Sequence, residues 1–149
     1  MPADAVLSVL TCCPTHLGTC MERWLSEEAH GWGAAFSPVP GIVEVTAKAA
    51  TKAAALARLC GLRGIPPEQV VAFGDTLNDL TMLTWAGMGV TVENATDQLR
   101  QAVRVTALRN DFDGVAHTLR FLLEHKLLAS SSITSASSRL HQIGAVNPV

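Results

Sequence analysis

The chain has no tyrosine, and its 11 lysines and arginines are scattered singly through 149 residues. A nucleic-acid groove needs clustered positive charge and aromatic platforms for stacking, so that class of function is excluded. No apolar run approaches the roughly 18 residues of a membrane-spanning helix, and no basic stretch leads into a signal core. The cytoplasm is therefore the expected compartment, with no membrane partner. Zinc-ligand spacing is also missing: Cys12, Cys13, Cys20 and Cys60 form no such pattern, and no nearby histidine completes one. Free thiols in a reducing compartment are the expected state of these cysteines. What remains is a mildly acidic chain of net charge −2 with 48% apolar residues, enough for one ordinary core.

The richest stretch is Gly74-Asp75-Thr76-Leu77-Asn78-Asp79. It follows the apolar run Val70-Val71-Ala72-Phe73 and precedes the apolar segment Leu80 to Trp85, so a strand should turn through glycine into a helix. Two carboxylates then stand at the strand's carboxyl end, where ligands bind in a parallel α/β sheet. Such acids repel each other unless a shared proton or a hard cation relieves them. Magnesium suits the oxygen donors, and a phosphate ester suits magnesium. The competing role for Asp75 and Asn78 is that of turn and cap residues.

Around this loop the pattern alternates. Ala5 to Leu10 reads as a strand, Cys20 to Ala29 as a helix, and Gly31 to Pro40 as a segment broken by glycine and proline. Gly41 to Thr46 reads as a strand. Thr51 caps a helix from Lys52 to about Cys60, which Gly61 and Gly64 should end. The strand Val70 to Phe73 and the helix from Asn78 to about Ala86 follow, then a strand over Met88 to Val92. A short helix over Thr96 to Val103, a strand over Arg104 to Thr106, a polar turn over Asn110 to Gly114 and a helix from Val115 complete the series. This order predicts an α/β fold, a parallel sheet covered by helices. From about residue 128 the serine-rich sequence lacks apolar periodicity and reads as a tail.

Other residues could share the site. Lys52 opens the helix preceding the acidic loop's strand and could offset phosphoryl charge, or could simply be solvated. Glu93-Asn94 follows a strand and could line an entrance. Asn110, Asp111 and Asp113 form a polar cluster that spacing alone does not distinguish from a capped turn. His30, His117 and His125 have no partner set that singles one out.

Together these segments are similar to the Cof-type hydrolases, phosphatases of the haloacid dehalogenase superfamily. Glu44 through Leu56 resembles the family's third motif, Gly74 to Asp79 its fourth, and Asn110-Asp111-Phe112-Asp113-Gly114-Val115-Ala116 the loop that closes the domain. The resemblance implies the carboxyl-terminal part of a Rossmann-like core over residues 41–127. It also implies the end of an α+β cap over 1–40, while the serine-rich tail over 128–149, read as flexible, lies outside it. As family expectations, Lys52 contacts the phosphoryl group, and Asp75 and Asp79 help to bind Mg2+. Asn78 orders the phosphate side and Asn110 approaches the phosphate, the substrate being a phosphorylated small molecule. Ala47 stands where proline is frequent, and Ala49 and Ala53 replace common glycines.

One absence matters more than these. The resemblance implies an aspartate nucleophile in an Asp-x-Asp motif after an amino-terminal strand, and no such motif is present. Asp111-Phe112-Asp113 has the letters but follows a polar loop beyond the metal loop. The expectation is a chain that lacks the covalent step and needs a complementing amino-terminal half or self-association. The alternatives are a degenerate binding or interaction protein of the same family and a receiver-like magnesium domain. A receiver's phosphoacceptor strand and later lysine do not follow in order here.

Overall fold

A computed structural model of the chain describes residues 8–12, 23, 27–28, 32–39, 42–47 and 49–129. It divides into two units, Met1–Ala54 and Ala55–Val149. In the first, strands β1 (Ser8–Cys12), β2 (Trp32–Val39) and β3 (Ile42–Ala47) form an antiparallel sheet in the order β1-β3-β2. The β2 strand corrects the expectation of a broken segment. It is an edge strand among the described residues, and its pairing with β3 slips between Trp32 and Ala35 and between Phe36 and Val39. Those irregularities fall around Gly33 and Pro38, residues that a regular central strand would not accept. Of the expected helix over Cys20 to Ala29, the structure describes Arg23, Glu27 and Glu28, all helical. Residues 130–149, most of the expected tail, lie outside the described residues.

Helix α1 (Lys52–Arg63) begins where the Thr51 hydroxyl accepts the Ala54 N–H at 3.1 Å, as the capping pattern predicts. It runs through Gly61 rather than stopping there. The stop is Gly64, whose φ of 65° is left-handed. Its N–H donates to the Gly61 carbonyl, and the Ile65 N–H donates to that of Cys60 at 2.9 Å, the paired bonds of a glycine-terminated helix. Gly61 therefore spends one helical position at a modest cost, whereas Gly64 supplies the reversal.

The second unit holds the α/β core. Strands β4 (Val71–Gly74), β5 (Met88–Val92) and β6 (Val105–Ala107) form a parallel sheet in that order. Helices α2 (Leu80–Trp85) and α3 (Asp97–Ala102) supply the crossovers, and α4 (Gly114–Glu124) follows β6. The alternation read from the sequence is thus realised, with each strand within about one residue of its expected span. Every residue of β6 is buried, as are Met88, Val90, Thr91 and Val92 of β5, the continuous burial of a sheet covered on both faces. The α4 helix turns Gly114, Thr118 and Leu122 inward at four-residue spacing. By contrast β4 has only Ala72 buried, and among the described residues β5 is its sole strand partner.

The register places the loops. Gly74 pairs with Thr91 and Thr91 with Thr106, so the three strands reach their carboxyl ends on one edge. The loops leaving that edge are the ones that carry Asp75 to Asp79, Glu93-Asn94 and Asn110 to Asp113.

Candidate active site

The two acids of the first loop are not equivalent. Asp79 is 3% exposed, and its Oδ2 accepts the N–H of Asp75 at 3.1 Å and that of Thr76 at 3.2 Å. The Thr76 hydroxyl lies 3.3 Å from the same oxygen and also bonds the Asn78 side-chain oxygen. Asp79 therefore folds back and fixes the turn from within, while Asp75 is exposed beside it. Glycine makes this possible: a Cβ at position 74 would lie 2.4 Å from the Asp79 Cβ. Sequence reasoning gave both acids one role and passed over Thr76. The signal was present, because Thr76 and Asp79 stand at the spacing of a capping box.

Neighbouring elements hold the loop from below and beside. The fully buried Thr91 hydroxyl donates to the Gly74 carbonyl at 3.2 Å, and the Thr96 N–H donates to the Asp75 carbonyl at 3.1 Å. Across the edge, the Asn110 N–H donates to Asn94 Oδ1 at 3.2 Å. The Asp111 N–H donates to Asn110 Oδ1 at 3.0 Å, so the Asn110 amide group turns its oxygen to the backbone and its NH2 away. Thus Asp75, Asn78, Asp79 and Asn110 all lie on the carboxyl-end loops of one sheet. Lys52 is exposed at the start of α1, within the first unit.

Arg109 Nε donates to Asp111 Oδ1 at 3.0 Å. That hydrogen bond, before any other influence, lowers the Asp111 carboxyl below its ordinary value and raises the guanidinium of Arg109. A depressed carboxylate contributes above its unfolded value of about 3.9 and loses that contribution as pH falls through the lower folded value. Arg109→Ala should consequently move the Asp111 titration upward, read by carboxyl-carbon NMR. An unchanged midpoint would deny the pairing.

The site's donors suit a hard cation that keeps several waters, since they are carboxylate and amide oxygens and not thiolates or imidazoles. Among the described residues no group of three or more acidic, histidine or cysteine side chains gathers as a self-sufficient metal cage. A cation here would thus lean on Asp75, the pinned Asp79 loop, and oxygens from elsewhere. No described helix is long and apolar enough to cross a membrane.

The model of the haloacid dehalogenase-like hydrolases matches residues 4–119. The chain belongs to that family. Its membership is of the Cof-type branch that the third- and fourth-motif segments suggested, and the α/β core agrees. Over 84 residues it is 39% identical to 5-amino-6-(5-phospho-D-ribitylamino)uracil phosphatase YitU of Bacillus subtilis, covering 56% of this chain and 30% of that protein. Over 80 residues it is 41% identical to the phosphatase YwpJ of the same organism, covering 54% of this chain and 28% of that one. A haloacid dehalogenase-like hydrolase structure from B. subtilis superposes with a TM-score of 0.69 at 30% identity, over 82% of this chain and 44% of that one. The chain therefore spans under a third of these curated relatives and under half of the solved structure.

Proposed function

We propose that this chain is the carboxyl-terminal portion of a magnesium-dependent phosphoric monoester hydrolase acting on a phosphorylated small molecule. The observation that carries the reading is the folding of Gly74 to Asp79 at the end of β4, with Asp79 pinned and Asp75 exposed. In this reading residues 1–40 close a cap, 41–127 form the partial core and 128–149 a serine-rich tail. A reducing cytoplasm suits the buried thiol of Cys60.

Each residue then has a distinct task. Asp75 and Asp79 would hold Mg2+, which when bound supplies charge neutralisation at the phosphoryl oxygens. Asp79 also keeps Asp75 in place through the two backbone amides it accepts. The outward NH2 of Asn110 donates to phosphate oxygen, Asn78 orders the same side, and Lys52 offsets negative charge on the transferring group. The nucleophile, which would form an aspartyl-phosphate, would come from an Asp-x-Asp segment after an amino-terminal strand, a placement that the chain's Asp111-Phe112-Asp113 does not have.

Purified residues 1–149 should therefore show no magnesium-dependent hydrolysis of an aryl phosphate above the protein-free rate. Adding a polypeptide that carries an apolar strand ending in Asp-x-Asp should restore turnover. Turnover by the chain alone, abolished by Asp75→Asn, would refute the missing-nucleophile reading.

A further inference from the structure

The loop after β5 touches both neighbours. At one end the Thr96 N–H reaches the carbonyl of Asp75 at 3.1 Å; at the other, Asn94 Oδ1 receives the Asn110 N–H at 3.2 Å. The loop itself is anchored by the Glu93 N–H on the Ala107 carbonyl at 3.0 Å and the Ala95 N–H on the Val92 carbonyl at 2.9 Å. Four residues therefore tie the acid loop of β4 to the asparagine loop of β6.

Within that tie the Asn94 side chain supplies a direct hydrogen bond to the asparagine loop. It is exposed, so packing does not dictate its identity. Its oxygen meets the backbone of the residue whose own amide oxygen is already turned inward by Asp111. Asn94 thus holds the Asn110 backbone N–H while the Asp111 N–H holds the Asn110 side-chain oxygen, and together they orient the NH2.

We infer that Asn94 is a positioning residue: its Oδ1 holds the Asn110 backbone so that the Asn110 NH2 is presented to a phosphoryl anion. The inference rests on the reading of Asn110 as a phosphate contact given above. Losing the bond unties the Asn110 peptide from the loop after β5 while the Phe112, Asp113 and Gly114 N–H groups still close the turn on the Arg109 and Asn110 carbonyls, and the NH2 then samples directions that miss the anion. The Asp75 loop is left intact, because its ties to Asp79, Thr91 and Thr96 do not pass through the Asn94 side chain.

Amide exchange and a titration with orthophosphate in magnesium buffer, both followed by NMR on residues 1–149, test this. Asn94→Ala should speed exchange at the Asn110 amide about tenfold and weaken the orthophosphate response of its NH2 several-fold. Exchange at the Asp75 and Thr76 amides should stay as in the unmodified chain. Asn94→Asp keeps an acceptor oxygen in the same place and should restore protection of the Asn110 amide, which mere removal of bulk could not explain. If Asn94→Ala leaves both the exchange and the orthophosphate response of Asn110 unchanged, the inference is wrong. If the unmodified chain gives no orthophosphate response at Asn110 while Asn94→Ala still speeds exchange, the phosphate reading is what falls, and the positioning role with it.

Discussion

Asp79→Ala is expected to destabilise the second unit by about 3 kcal/mol and to release the turn that carries Asp75. The carboxylate is almost wholly buried and its Oδ2 serves two backbone amides and the Thr76 hydroxyl. Removing it strands part-buried donors, and hydrogen bonds to a charged acceptor are the stronger kind. Alanine also leaves a void against Gly74, whose missing side chain exists to admit Asp79. Asp79→Asn retains an acceptor oxygen of the same size and should lose roughly half as much. Urea unfolding gives the stability, and amide exchange at residues 75 and 76 gives the local effect. Persistent protection of those amides in Asp79→Ala would show that something other than the carboxylate closes the turn.

Gly114→Ala should be at least as damaging, although helix propensity alone favours alanine by about 1 kcal/mol. The added Cβ would sit 1.8 Å from the Leu108 carbonyl oxygen and 2.5 Å from its carbon. Both are backbone atoms at the end of β6, so neither can rotate away. Relief requires α4 to lift from the sheet, pulling Thr118 and Leu122 out of the core. A loss of about 3 kcal/mol or more is expected, again from urea unfolding. The turn containing Asn110 should shift in the same variant, because the Gly114 N–H closes it on the Arg109 carbonyl. A gain in stability would mean that propensity outweighs this close approach.

The parallel core was legible because its signals are local and mutually consistent. Met88 to Val92 is a run of strand formers between glycine and a polar loop, and the structure returns the same span. The helix over Gly114–Glu124 was legible for a similar reason, since its turn residues precede a clean apolar period. The β2 strand was not, because proline and glycine argue against a strand unless edge position and slipped pairing are known, and those are tertiary facts. Gly61 misled for the opposite reason: a glycine within a helix and one that ends it look alike until φ is known.

In the site, residue identity was easier to read than residue task. The spacing of Asp75 and Asp79 announced a pair of acids, yet their division into an exposed carboxylate and a buried loop anchor depends on the room left by Gly74. Asn94 was visible only as a strand-end polar residue. Its bond to Asn110 spans sixteen positions and cannot be inferred from either segment alone.

Among the described residues no strand lies on the flank of β4 away from β5, and this has a geometric consequence for the proposed function. A newcomer laid parallel along Val71–Gly74 must settle about 4.8 Å away, the spacing that backbone hydrogen bonding imposes. Its last residue would then emerge next to Asp75, near enough for carboxylates from both segments to grip a common ion. Under the proposed function, docking of that segment and completion of the ion site would be one event, with ladder formation acting as the ruler.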